Sequence, residues 1–260
     1  MRGFKLDAET HVITTGVSSV QNLVKCIRGA GVDVEDLVFE ALASSEAVLT
    51  DDDKQVGVIL ADIGGGTTDI SVFKDGSIWH TAVVPVAGYQ MTRDIAIGLG
   101  LPFDVAEEMK KKYGTALPVY EGKAENDSIA QNGHNISYQG LCDIIRARME
   151  EILRLIVLEL PRGEQDALVP GGLVLTGGSS NLAGIDALGR DVLRMPVRVG
   201  APLNVYGISD QLNDPAYATA VGLLLWGMKP KSNNRGKPNI FGNGIFNLVS
   251  RIKGLFGKQS

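Results

Sequence analysis

Cysteine and histidine are scarce in these 260 residues: two cysteines, Cys26 and Cys142, and three scattered histidines, His11, His80 and His134. Neither set has metal-like spacing, and a reduced cytosolic setting fits best. No apolar run approaches the length that spans a bilayer, and nothing at the N-terminus resembles a signal peptide. No Gly-Lys-Ser/Thr follows a glycine cluster, which removes the P-loop. Acids are missing from one region only. Between Lys229 and Ser260 there are seven basic residues (Lys229, Lys231, Arg235, Lys237, Arg251, Lys253, Lys258) and no Asp or Glu. Residues 1–228 therefore hold 18 basic against 30 acidic side chains, an asymmetry that the net charge of −5 conceals. Such a tail points to a negatively charged partner for itself alone, and no nucleic-acid partner is expected.

What is abundant is glycine, 32 residues, and one cluster stands out. The apolar run Val56 to Ala61 ends in Asp62 and reads as a buried strand; Gly64, Gly65 and Gly66 then turn the chain into a second strand, Asp69 to Phe73. Glycines let backbone N–H groups approach a phosphate, Thr67 and Thr68 add hydroxyl donors, and the flanking aspartates suit a hydrated Mg²⁺. This hairpin tip reads as a phosphate clamp, where a bare triple glycine alone would be only a turn. A second corner follows the short strand Leu173 to Thr176, where Gly177 and Gly178 lead to a helix beginning near Leu182. Its backbone amides suit a planar or anionic group.

The remaining pattern is α/β in order. Residues 10–15 and 37–40 read as strands, Val17 to Ala30 as an amphipathic helix and Ala41 to Leu49 as a helix of small residues. Trp79 to Val86 reads as a strand, Thr92 to Leu99 and Phe103 to Tyr113 as helices, and residues 114–135 as short strands and loops. A long helix runs from Ile136 to Leu160, a strand starts at Val197, and Tyr217 to Met228 is an apolar helix.

Pro230 to Asn243 is too poor in apolar residues to fold and reads as a flexible linker. Beyond it, residues 244–258 place Ile245, Phe246, Leu248, Val249, Ile252, Leu255 and Phe256 on one helical half, with Arg251 opposite and Lys253 at the edge. A short helix of this kind folds on a surface, and anionic lipid suits both of its halves. A protein groove is the competing occupant.

Two glycine motifs, each after a strand and separated by a helical insertion, resemble the actin-like nucleotide-binding superfamily. The residues Asp62 to Asp69 are similar to its second phosphate motif and Val174 to Ser179 to its adenosine motif. Within it the chain most resembles the FtsA family, through Ala41 to Ser45 with Val48 to Thr50, Ala106 and Glu107 with Lys110, Tyr113 and Gly114, Val199 to Asn204, Tyr217 to Leu224 and the tail. The resemblance implies an actin-like (ribonuclease H-like) α/β fold. Its parts would be a remnant of subdomain 1A (1–50), subdomain 2A (51–94), an inserted 2B (95–167), 2A again (168–228), a linker (229–243) and a membrane-targeting helix (244–258). Relatives carry an earlier segment with the first phosphate loop and subdomain 1C, which these residues lack; the chain is expected to be part of a longer protein or a shortened form.

On the same resemblance, Gly64, Gly65, Gly66, Thr67 and Thr68 would hold the phosphates of ATP, with Asp62 near Mg²⁺ through water. Glu107 and Lys110, one helical turn apart, would contact adenosine; without the resemblance they would read as a surface ion pair. Gly177, Gly178 and Ser179 would cover the adenine and ribose. Glu40 would position the attacking water, or it merely favours a helix N-terminus. ATP binding with slow or absent hydrolysis follows, in place of a true enzyme. Arg148, and less so Arg146, would receive the acidic and apolar C-terminal peptide of FtsZ, unless the two simply pair with Glu150 and Glu151. The implied role is a division adaptor that tethers FtsZ filaments to the cytoplasmic face of the membrane at the division site, with self-association and other division proteins as further partners. The rivals are a PilM-like pilus adaptor, which would lack the terminal helix, and a sugar-kinase-like phosphotransferase, whose base and sugar pocket no residues here supply.

Overall fold

A computed structural model describes residues 10–117, 128–131, 134–161, 169–203, 205 and 212–229. The residues expected to form a membrane helix, Ile245, Phe246, Leu248, Val249, Arg251, Ile252, Lys253, Leu255 and Phe256, and the expected linker from residue 230, lie outside the described residues. The chain divides into two units, Met1–Gly227 and Met228–Ser260.

The first unit is organised on strand β1 (Val58–Ile63), every residue of which is buried. It pairs antiparallel with β2 (Thr68–Lys74), which pairs antiparallel with β3 (Ser77–Val84). On its other side β1 runs parallel to β6 (Leu173–Thr176), and β6 parallel to β7 (Val197–Val199). The order is thus β3-β2-β1-β6-β7. A small hairpin, β4 (Ser128–Gln131) and β5 (His134–Ser137), stands apart from this sheet.

Because successive strand residues face opposite ways, β1 feeds two cores. Ile59, Ala61 and Ile63 join a large cluster with helices α4 (Gly88–Leu99), α5 (Phe103–Tyr113), α6 (Tyr138–Leu158) and α7 (Ile185–Leu193). Val58 and Leu60 join a smaller one with α2 (Glu40–Val48) and α8 (Ala218–Met228). Asp62 continues that second face and is thereby aimed toward α2 and α8, under a helix pair pressed together by small residues. A Cβ on Gly222 of α8 would lie 1.8 Å from the Ala43 carbonyl of α2.

Several expectations shift. Residues 10–15 and 37–39 form no strand; Val12 is 73% exposed, and no described strand offers their N–H and C=O groups a ladder. The first helix, α1, spans Val17–Gly29. Residues 51–56 form a short helix, α3 (Asp51–Val56), closed by a capping box between Thr50 and Asp53, so the strand begins at Val58 rather than Val56. The helix opened by Gly88 starts there and not at Thr92, while α5 has the expected bounds. Ser137 caps α6 by accepting from the Gly140 N–H at 3.1 Å, which leaves Ile136 in β5. After Gly177 comes a 3₁₀ turn, Gly178–Asn181, and α7 begins only at Ile185.

Candidate functional site

Since β1 and β6 are parallel neighbours with Asp62 beside Thr176, the corners that follow them emerge at the same sheet edge. They are tied to each other. The Ser179 hydroxyl donates to the Gly64 carbonyl at 2.8 Å, and the Gly88 N–H donates to the same oxygen at 3.1 Å. The Tyr89 N–H donates to the Gly65 carbonyl at 2.6 Å. One carbonyl therefore joins the hairpin tip, the second corner and the first turn of α4.

The tip is closed by the Gly64 N–H donating to the Thr67 carbonyl at 3.0 Å. The N–H groups of Gly65, Gly66 and Thr67 have no partner among the described residues, and all three residues are exposed. None of the three tip glycines adopts a left-handed φ, and a Cβ on Gly65 or Gly66 would meet nothing within 4 Å. The turn itself does not demand them. Gly177 is the opposite: φ is 83°, and a Cβ would lie 2.3 Å from Asp62 Oδ1 and 2.7 Å from the Ile63 carbonyl. Gly178 is exposed beside it.

The two threonines part company. Thr67 is exposed and its hydroxyl donates to Asp69 at 2.9 Å. Thr68 is fully buried, and its hydroxyl donates to the Val86 carbonyl at 2.7 Å. Strand alternation thus turns Thr68 inward, and only its neighbour remains at the tip to offer a hydroxyl.

Beneath the tip lies an acidic corner. Asp62 and Asp69 are directly opposite each other across the hairpin, hence on one face. Asp62 Oδ2 accepts from Ser44 at 2.6 Å and Thr219 at 3.1 Å, and the two hydroxyls are 3.0 Å apart. Burial pushes the Asp62 carboxyl up, against these two hydrogen bonds. Asp69 is also pushed up, first by burial and then by Asp62, with Thr67 opposing. Glu40, the first residue of α2, is exposed over much of its surface, yet loss of water around its carboxyl raises it, aided by Asp69 and Asp62 and opposed by a hydrogen bond with Thr219. Three carboxylates that all resist ionisation attract a cation. Among the described residues no group of three such side chains is close enough to ligate a metal directly. Paired carboxylates of this kind suit an ion that keeps its water, as Mg²⁺ does, and Gly177 lets its own backbone pack against Asp62 Oδ1.

Glu107 and Lys110 are more than a surface pair. Lys110 Nζ lies 2.7 Å from Glu107, and donates to the Gly88 carbonyl at 3.1 Å and the Thr92 hydroxyl at 2.8 Å. Thr92 in turn bonds Glu107, and Lys111 reaches it at 3.1 Å. Burial would raise the Glu107 carboxyl, but Lys110, Thr92 and Lys111 together hold it down at about 2. The pair thus braces α5 against the first turn of α4, next to Ser179: a Cβ on Gly88 would fall 2.6 Å from Ser179 Oγ and 3.5 Å from Lys110 Nζ.

The two arginines are not brought together. Two residues apart on α6, they leave opposite flanks: Arg146 pairs with Glu150 at 3.2 Å and nears Asp191 of α7, whereas Arg148 pairs with Asp94 of α4 and with Glu151. Both make the pairs with Glu150 and Glu151 that the sequence offered as the alternative. Arg148 borders an open depression of about 360 Å³ whose apolar floor is Ile97, Gly98, Ile144 and Ala147. Ile97 is 71% exposed there.

Sequence reading missed Thr219, a lone hydroxyl in an apolar helix, and the capped helix α3, whose Thr50 and Asp53 spacing was the available signal. It also passed over Gly88, whose role depends on contacts that no local pattern announces.

Comparison with known proteins places this architecture. A family model described as "Cell division protein FtsA" matches residues 59–222. The chain is 43% identical over 237 residues to a Cell division protein FtsA of Pseudomonas aeruginosa, covering 90% of this chain and 57% of the relative. It is 38% identical over 263 residues to a protein of the same description from Neisseria meningitidis serogroup B, covering 97% of this chain and 63% of the relative. It thus spans about 57% to 63% of the length of these two relatives. Among solved structures, MreB5 of Spiroplasma citri bound to ADP is similar with a TM-score of 0.63 at 18% identity, over 82% of this chain and 65% of that one. The fold is actin-like.

Proposed function

The chain belongs to the FtsA family of cell division proteins, and from that membership we propose that it serves as a peripheral division adaptor with a nucleotide-binding body. ATP, with Mg²⁺ held through water, occupies the sheet edge between the two glycine corners. The observation that carries this reading is the hairpin tip, where three exposed N–H groups without a partner among the described residues line two glycines that neither φ nor packing requires. Bare backbone that the fold does not need is what a phosphate needs. Thr67, Gly178, Glu107 and Lys110 border the phosphates and nucleoside, and Asp62 faces the hydrated ion. Glu40 would position the attacking water, with hydrolysis slow or absent.

In the same reading the chain follows the subdomain plan of its family, residues 95–167 forming 2B. The depression beside Arg148 receives the C-terminal peptide of FtsZ, its apolar side chains on Ile97 and Ile144. Because Arg148 is already paired, an incoming carboxylate displaces Asp94 or Glu151, and Arg146, on the other flank, takes no part. Residues 244–258 bind anionic lipid from the cytoplasmic side, which brings filaments to the membrane at the division site. Among the described residues no helix is long and apolar enough to cross a membrane.

Two measurements on the full chain test this. Calorimetry with ATP and Mg²⁺ is expected to register binding; its absence sinks the nucleotide reading. Co-sedimentation with anionic liposomes is expected to pellet the chain and not a version lacking residues 240–260. Both remaining in the supernatant would remove the membrane role.

A further inference from the structure

Three elements distant in sequence end at one point under the tip. Helix α2 brings Glu40 and Ser44, one turn apart and on one face; β1 brings Asp62, and α8 brings Thr219. Ser44 and Thr219 both reach Asp62 Oδ2, at 2.6 and 3.1 Å, and the Thr219 hydroxyl also favours the ionised form of the Glu40 carboxyl. Asp62 Oδ1 lies against the Gly177 backbone, where a Cβ would stand only 2.3 Å away. Thr219 reaches this point because Gly222, in the same helix, has no side chain to hold α8 off the Ala43 carbonyl.

The proton count gives Thr219 a particular place. Each hydroxyl owns one proton. With the Ser44 proton on Asp62, the single proton of Thr219 gives the same oxygen a second donor, from a different helix.

We propose that Thr219 is a positioning residue of the nucleotide site, whose hydroxyl sets the Asp62 carboxylate toward a water-clad divalent cation. This rests on the nucleotide reading above. It makes the hydroxyl matter to the cation and not to the nucleotide as such. Thr219→Val keeps the branched shape and removes the proton, while Thr219→Ser keeps the proton.

The test measures ATP affinity of the full-length chain and both variants with Mg²⁺ and again in EDTA, and Mn²⁺ binding alone by electron paramagnetic resonance. Thr219→Val is expected to weaken ATP binding about tenfold with Mg²⁺, the weight of a hydrogen bond to a charged group, and to leave it unchanged in EDTA. Thr219→Ser restores the wild-type value, and Mn²⁺ alone binds more weakly to the valine variant. Equal loss with and without Mg²⁺, no loss at all, or a serine variant as impaired as valine overturns the assignment. Should the wild type bind no ATP in either condition, the nucleotide reading fails by itself. Mn²⁺ then decides: weaker binding to Thr219→Val keeps the role of the hydroxyl, and equal binding, or none to the wild type, ends it.

Discussion

Two glycine corners share one sheet edge and look alike in sequence, yet they hold glycine for opposite reasons. Gly177 is dictated from within. Its φ of 83° belongs to a region that side chains avoid, and the space for a Cβ is filled by Asp62 and the Ile63 carbonyl. Gly65 and Gly66 answer to nothing inside the protein, since a methyl on either would stand in open space. A glycine that the fold requires says little about ligands. One that the fold could do without asks what else comes close to the backbone.

The sharpest test of this contrast is stability. Gly177→Ala must both adopt the strained φ and push Asp62 aside, and is expected to cost about 3 kcal/mol in urea denaturation. Gly65→Ala should stay within about 0.5 kcal/mol of wild type, as an exposed change with no steric conflict does. If the two cost the same, the distinction between required and spare glycines collapses.

Next in size is an effect on binding alone. A methyl at Gly66 keeps a phosphate from the exposed N–H groups, so Gly66→Ala is expected to lower ATP affinity about tenfold, the loss of one charge-assisted hydrogen bond, at an unchanged melting temperature. Undiminished affinity would mean that the tip is a bare turn.

How far these corners could be read beforehand differs in the same way. Asp62, the hairpin and both glycine pairs were visible because strand, acid and glycine are consecutive in the chain. Thr68 was misjudged as a tip donor because, next to a loop, alternation decides which hydroxyl faces inward, and the partner that settles it, the Val86 carbonyl, is 18 residues away. Residues 10–15 have a strand's composition but no neighbour to pair with, and ladder partners are not a local property. Arg146 and Arg148 were both offered to one peptide although a spacing of two separates them around a helix. Thr219 was invisible because its meaning comes only from the close approach of α8 to α2 at Gly222.

The acids around the corners should separate by pH. Glu107, held at about 2 against an ordinary 4.5, takes up its proton more readily in the unfolded chain. Its stabilising contribution is therefore complete above pH 4.5 and is lost as pH falls from there toward 2. Screening at a side chain that is 29% exposed reduces this to about 1 kcal/mol. Asp62 and Asp69 are displaced the other way. Folding there opposes ionisation, a cost present above their raised values and relieved as pH falls through them. Glu107→Gln should flatten the loss of stability on acidification, and Asp62→Asn should steepen it by removing a contribution of the opposite sign, as read from denaturation midpoints at pH 7, 5 and 3. An Asp62→Asn protein that loses no more stability than the wild type would contradict the crowding of acids beneath the tip.

The smallest effect asks whether the corners are joined at Gly64. Ser179→Ala removes the hydroxyl that bridges them, but the Gly64 carbonyl keeps the Gly88 N–H, so no buried acceptor is orphaned and the cost is about 0.5 kcal/mol. The informative measurement is the same change in a Gly88→Ala background. There the new Cβ stands 2.6 Å from Ser179 Oγ, a collision that truncating the serine removes. Ser179→Ala should therefore destabilise the wild type slightly and stabilise the Gly88→Ala protein, a reversal of sign that only direct contact produces. Additive costs in the double-mutant cycle would show that the second corner and α4 do not meet at that carbonyl.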